Sequence, residues 1–144
     1  MSYLLDTNVL SELKRKNPNA GVVEWFTRRP ASTLFLSVLT LGELRKGINK
    51  IHDPIRSATL NDWLETDLPS FFTGRILTID ADVANIWGRL IANHARPLPA
   101  IDSLLGATAA KHGLSMVTRN ARDFEGLGIE VINPWTIQDG APIA

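Results

Sequence analysis

Short apolar runs alternate along this chain with longer stretches of helical period, and this alternation restricts the fold more than any other feature. It is the pattern of an α/β layer fold built on a mainly parallel sheet. The runs place strands at about Tyr3–Leu5, Leu34–Ser37, Arg75–Ile79, Ser115–Thr118 and Glu130–Ile132. Helices are expected between them: Asn8–Lys16, Gly21–Arg29 closed by Pro30, and Thr40–Lys50 with Leu41, Leu44, Ile48 and Ile51 as one apolar stripe. A long helix is expected over Ile55–Phe71, started by Asp53-Pro54. Asp80 is suited to cap Asp82–Ala95, and Ile101–His112 ends at Gly113, a good residue to follow a helix.

The chain has 144 residues, enough for one domain and one core. We assign residues 1–135 to that domain and 136–144 to a flexible tail. There is no cysteine, which excludes thiolate zinc sites, catalytic thiols and disulfide staples. The start lacks a basic region before its apolar run, and no stretch approaches the roughly 18–20 apolar residues of a membrane helix. A cytoplasmic protein without a membrane partner is therefore expected. Basic and acidic residues balance at 15 each. If four acids gather in one metal pocket, the remaining surface carries a modest positive excess, compatible with a phosphate backbone.

In open parallel sheets, ligands bind beyond the carboxyl ends of the strands. Asp6 directly follows the run Tyr3-Leu4-Leu5, and the Ser115 strand delivers Thr118, Asn120 and Asp123 to the same rim. Glu43 is expected in the first turn of the helix after Leu34–Ser37, and Asp102 opens the helix that leads into the Ser115 strand. Carboxylates crowded together raise one another's pKa unless a cation compensates. An all-oxygen donor set favours Mg²⁺ or Mn²⁺. Each acid also has an ordinary role open to it: Asp6 and Asp102 as helix caps, Glu43 as a solvated helix residue, Asp123 in a turn. Gly47 and Gly106 each follow an acid by one turn. Glycine within a helix costs roughly 1 kcal/mol against alanine. Both positions therefore call for a reason, either room beside the acid or close helix packing.

His52, His94 and His112 show no metal-ligand spacing. Trp25, Trp63, Trp87 and Trp135 read as core or dimer anchors ahead of base-stacking platforms, whereas Arg119 and Arg122 are placed to meet phosphate. No Gly-rich phosphate loop and no Gly-x-Ser-x-Gly elbow is present.

The segment Leu4-Leu5-Asp6-Thr7-Asn8-Val9-Leu10-Ser11-Glu12 resembles the opening of PIN-domain ribonucleases, VapC-type toxins in particular. Leu36-Ser37-Val38-Leu39-Thr40-Leu41-Gly42-Glu43-Leu44 is similar to the second acidic motif of that family. Asp102-Ser103-Leu104-Leu105-Gly106-Ala107-Thr108-Ala109 resembles the third, and Val117-Thr118-Arg119-Asn120-Ala121-Arg122-Asp123-Phe124 the fourth. The ending Val131-Ile132-Asn133-Pro134-Trp135 resembles the FitB-like branch. The resemblance implies a three-layer α/β/α PIN fold with a five-stranded sheet.

It also implies the toxin half of a type II toxin–antitoxin pair, an endoribonuclease that uses Mg²⁺ or Mn²⁺ to cleave RNA with a metal-activated water. Asp6 and Asp102 would bind the metal and Glu43 would complete the acidic core. The fourth ligand stays open between Asp123 and Asn120, because Asn120 stands where many relatives place an aspartate. Asn8, Ser37 and Thr118 would support the site, and Arg119 and Arg122 would contact RNA. Implied partners are the RNA substrate, a VapB-like antitoxin, and a second copy or a toxin–antitoxin hetero-oligomer, with DNA met only through the antitoxin.

Two other readings compete. One is a catalytically silent module that grips a basic antitoxin peptide. The other is an aspartate-nucleophile phosphatase, although that chemistry commonly wants an acid two residues after the first, where Asn8 stands.

Overall fold

The computed structural model describes residues 1–136. Five strands, β1 (Tyr3–Leu5), β2 (Leu34–Ser37), β3 (Ile76–Leu77), β4 (Ser115–Val117) and β5 (Val131–Ile132), form one sheet in the order β3-β2-β1-β4-β5. Every pairing is parallel, so the sheet is more uniform than the mainly parallel one expected. Successive strand residues face opposite sides. Tyr3 and Leu5 thus join a core layer containing Leu36, Leu44 and the fully buried Trp25, while Leu4 joins Leu105, Met116 and Phe124 on the other face. Covering both faces explains why the strands are apolar at nearly every position, Ser37 and Ser115 excepted, rather than alternating. Three layers result, as expected.

The helices are α1 (Thr7–Leu13), α2 (Ala20–Thr27), α3 (Val38–Ile48), α4 (Pro54–Asp62), α5 (Leu68–Phe71), α6 (Ala81–Ala92) and α7 (Ala100–His112). Among the described residues, no helix is long and apolar enough to cross a membrane. Several starts are fixed by side-chain caps. Asp6 accepts from the Thr7 backbone N–H at 2.7 Å, Ser37 from Leu39 at 3.1 Å and Asp80 from Val83 at 2.9 Å. The Ser37 cap begins α3 directly at the end of β2, earlier than expected, so Glu43 lies in the second turn rather than the first. Gly113 ends α7 at φ 64°, a left-handed conformation that glycine adopts without steric cost.

The expected helix Ile55–Phe71 is not continuous. A π-helical turn, Trp63–Asp67, separates α4 from α5, and the Leu68 N–H bonds back to the Trp63 carbonyl. Pro69 supplies the cause: it has no N–H to donate, and its ring crowds the carbonyl four residues earlier. The ladder widens by one residue just before it. The domain boundary expected after residue 135 falls inside a final 3₁₀ turn, Pro134–Thr136; the rest of the expected tail lies outside the described residues.

Crossovers from β1 lead outward to β2 and β3 on one side, and the chain returns to place β4 on the other side of β1. The carboxyl ends of β1 and β4 therefore flank the point where strand order reverses, the usual position for a crevice in such sheets.

Candidate active site

Asp6 leaves β1 at that reversal point and is only 6% exposed. Its backbone N–H continues the β1–β4 ladder to the Val117 carbonyl at 2.9 Å, which fixes where its side chain emerges. One carboxylate oxygen accepts from the Thr7 N–H at 2.7 Å. The other accepts from the Thr118 hydroxyl at 2.8 Å and the Asn8 amide at 3.4 Å. The Thr118 hydroxyl in turn accepts from the Asn120 N–H at 3.0 Å and the Asn8 amide at 3.3 Å, so its own proton is committed to Asp6. Burial raises the Asp6 pKa, the Thr118 and Thr7 bonds oppose that, and the charges of Glu43 and Asp123 raise it further.

Glu43 approaches from α3 and accepts a hydrogen bond from the Thr7 hydroxyl. The fully buried Thr40 hydroxyl stands 3.4 Å behind Thr7 and completes a short relay. Asp102, in the first turn of α7, meets Asp123 from the 3₁₀ turn Ala121–Phe124. The Asp102 pKa is pushed up to about 6, by burial first, then by the charges of Asp6, Asp123 and Glu43, and by a hydrogen bond shared with the Asp123 carboxyl. All four acids are thus electrostatically coupled.

The acids border a cleft of about 460 Å³ lined by Asp6, Glu43 and Asp102 together with Asn8, Arg119 and Asn120. Both candidates for the fourth position reach the rim, in different roles: Asn120 lines the cleft, whereas Asp123 lies against Asp102. Asn8 braces both Asp6 and the Arg119 N–H, which it receives at 3.3 Å. Ser37 serves as the buried cap of α3. Arg122 is not among the cleft-lining residues; its carbonyl accepts from the Arg96 guanidinium at 2.7 Å.

Among the described residues, no three carboxylates or imidazoles close to metal-binding distance of one another. Two of the acids are held by donors of their own instead: Asp6 by Thr7, Thr118 and Asn8, and Glu43 by Thr7. The donor set still fits a hard divalent ion. Mg²⁺ keeps several waters and takes only one or two carboxylates plus substrate phosphate, so it requires no closed cage. Burial first, and then the charges of Asp6, Asp123 and Glu43, raise the Asp102 pKa to about 6, so a cation beside these acids would be charge-complementary.

Sequence reasoning missed Thr7 as the partner of Glu43, and Ser11, Glu12, Arg15 and Trp135 as cleft residues. A signal was present: Asn8, Ser11 and Glu12 share one face of α1 at helical spacing. The two glycines divide between their alternatives. A Cβ on Gly106 would stand 2.7 Å from the Leu127 side chain, so Gly106 serves packing. A Cβ on Gly47 would meet nothing within 4 Å, and Gly47 borders a groove that shares Thr7 and Glu43 with the cleft.

Comparison with known proteins places this geometry in a family. The toxin FitB of Neisseria gonorrhoeae is 36% identical over 135 residues, covering 92% of this chain and 97% of FitB. The VapC ribonuclease Y4jK of Sinorhizobium fredii is 33% identical over 135 residues, covering 92% and 96%. The crystal structure of FitAcB from Neisseria gonorrhoeae superposes with a TM-score of 0.88 at 35% identity, covering 94% of this chain and 99% of that one. The PIN domain model matches residues 3–129, which span every strand of the sheet except β5 and all four acids. By sequence and by fold, the chain belongs to the PIN-domain family.

Proposed function

We propose that this chain is the toxin of a type II toxin–antitoxin pair and that it cleaves RNA endonucleolytically with Mg²⁺ or Mn²⁺. The observation that carries this reading is the electrostatic coupling of Asp6, Glu43, Asp102 and Asp123 at one sheet edge, with Asp102 raised to about 6. Relatives of similar length are named as a toxin and as a VapC ribonuclease, which supports both halves of it.

Asp6 and Asp102 are the residues to hold the ion, with Asp123 or Asn120 completing its surroundings. A bound divalent ion supplies polarisation of the phosphoryl group and acidification of an attacking water. Glu43, aimed by the Thr7 hydroxyl, orients that water and accepts its proton. Thr118 and Asn8 hold the Asp6 carboxyl in place. A VapB-like antitoxin presenting a basic side chain to the acids would silence the site, and the working assembly is a homodimer or a toxin–antitoxin hetero-oligomer.

A phosphatase using Asp6 as nucleophile is disfavoured, since three donors already engage its carboxylate and the Asn8 amide occupies the place of the second acid. Purified protein free of antitoxin is expected to cleave structured RNA with Mg²⁺, and Asp6→Asn to abolish cleavage while preserving the fold. RNA left intact at every metal concentration would favour the silent binding module, and a trapped acid-labile phosphoenzyme the phosphatase.

A further inference from the structure

One wall of the cleft carries charge of the opposite sign to the acids. Glu12, on α1, is 5% exposed and accepts from the Asn19 N–H at 2.9 Å. It also pairs with Arg15 at 3.4 Å. The Asn19 N–H, then Arg15 and Trp135, keep this carboxyl below the usual carboxylate range and therefore charged despite its burial. Trp135 is half-buried, and the Arg119 guanidinium lies 5.5 Å from its ring centroid. Two pairs from three segments, Glu12 with Arg15 and Trp135 with Arg119, thus stand side by side, and all four residues line the cleft.

The charges differ in how they are spent. Glu12 offsets Arg15, whose side chain remains 65% exposed. Arg119 rests on an uncharged aromatic face and, among the described residues, pairs with no carboxylate. A guanidinium held this way keeps its charge and its fork of donors for a ligand. The backbone of Arg119 is pinned on both sides, its N–H by Asn8 and its carbonyl by the Asn133 amide at 3.2 Å. Its side chain therefore starts from a fixed point beside Asp6.

We propose that Arg119 and Arg15 grip a phosphate of the RNA strand next to the one being cleaved, with Trp135 and Glu12 as the positioning residues that hold the two guanidinium groups. This rests on the ribonuclease reading above and adds which wall of the cleft the strand follows. The ligand class is a polyanionic strand, since a basic peptide would be repelled from this wall and drawn to the acids opposite. Arg122 takes no part.

The binding test uses the full chain in the cleavage-dead Asp6→Asn background, a short fluorescent RNA oligonucleotide, and a salt series at fixed Mg²⁺. Arg119→Ala is expected to weaken binding about tenfold. It should also lower the slope of log affinity against log salt by about 0.7, the loss of one single-strand phosphate contact. Arg119→Lys should restore the slope but not the affinity, because a point charge replaces a fork. In the cleavage-competent chain, KM should rise by about the same factor while kcat stays within about twofold of its starting value. Trp135→Leu removes the aromatic face under the Arg119 guanidinium, and should shift KM in the same direction by less. Since Arg119 is exposed, thermal midpoints should not move.

Unchanged affinity and slope in Arg119→Ala, or a loss confined to kcat, would overturn the proposal, as would weakened antitoxin binding with RNA binding intact. If the parent protein cleaves RNA while Arg119→Ala binds it normally, this inference alone fails. If the parent protein neither binds nor cleaves, the ribonuclease reading fails with it.

Discussion

The carboxyl groups of Asp102 and Asp123 lie within hydrogen-bonding reach of each other, although one opens α7 and the other sits beyond β4. Two ionised carboxylates repel at this distance, so the pair must share a proton or gain a cation. Burial and the charges of Asp6, Asp123 and Glu43 raise the Asp102 pKa to about 6, so the proton is held below about pH 6 and a cation is favoured above it.

A pH dependence follows. The folded pKa of Asp102, about 6, exceeds the ordinary value of about 3.9 for an unfolded aspartate. Between these values the folded state binds the extra proton, so this contribution to stability is present at low pH and lost as pH rises through 6. Asp6 is shifted in the same direction. Glu12 and Asp80 are shifted the other way and lose their contributions only in stronger acid. Metal-free protein should therefore melt higher near pH 5 than near pH 7.5, and added Mg²⁺ should raise the midpoint more at the higher pH. Calorimetry over this range checks both signs.

Thr7 is the second test. Its hydroxyl aims Glu43, and removing such a supporting bond typically costs roughly 10–100-fold in metal affinity or activity. Thr7→Val should lose cleavage in that range, while Thr7→Ser should retain most of it. Asp6→Asn, by contrast, should exceed the roughly 100-fold limit of a supporting group. Its fold should survive, because asparagine caps a helix about as well as aspartate. Single-turnover cleavage assays separate the three.

The glycines give a stability contrast. Gly47→Ala places a methyl group in open space and should gain up to about 1 kcal/mol from helix propensity. Gly106→Ala drives a methyl group against the buried Leu127, and overpacking of about 1–3 kcal/mol offsets that gain. Urea unfolding should show Gly47→Ala stabilised and Gly106→Ala neutral or destabilised.

These positions also mark how far the sequence could be read. Asp6 was legible because it ends an apolar run, and a strand's carboxyl end has a known place in a parallel sheet. Asp102 and Glu43 followed from the same wiring, although the Ser37 cap moved Glu43 into the second turn of α3. The break at Trp63–Asp67 was written in Pro69, yet the apolar periodicity hid it. The meeting of Asp102 with Asp123, and of Arg119 with Trp135, depends on how α7 and the chain end pack, which no local pattern encodes. Trp135 shows this directly: it serves the core as expected and also lines the cleft.

The most direct test of the central claim is an anomalous difference map from crystals grown with Mn²⁺. The account predicts a peak in the cleft within coordination distance of Asp6 and Asp102, and its loss in Asp6→Asn. Full Mn²⁺ saturation with no peak beside either aspartate would contradict it.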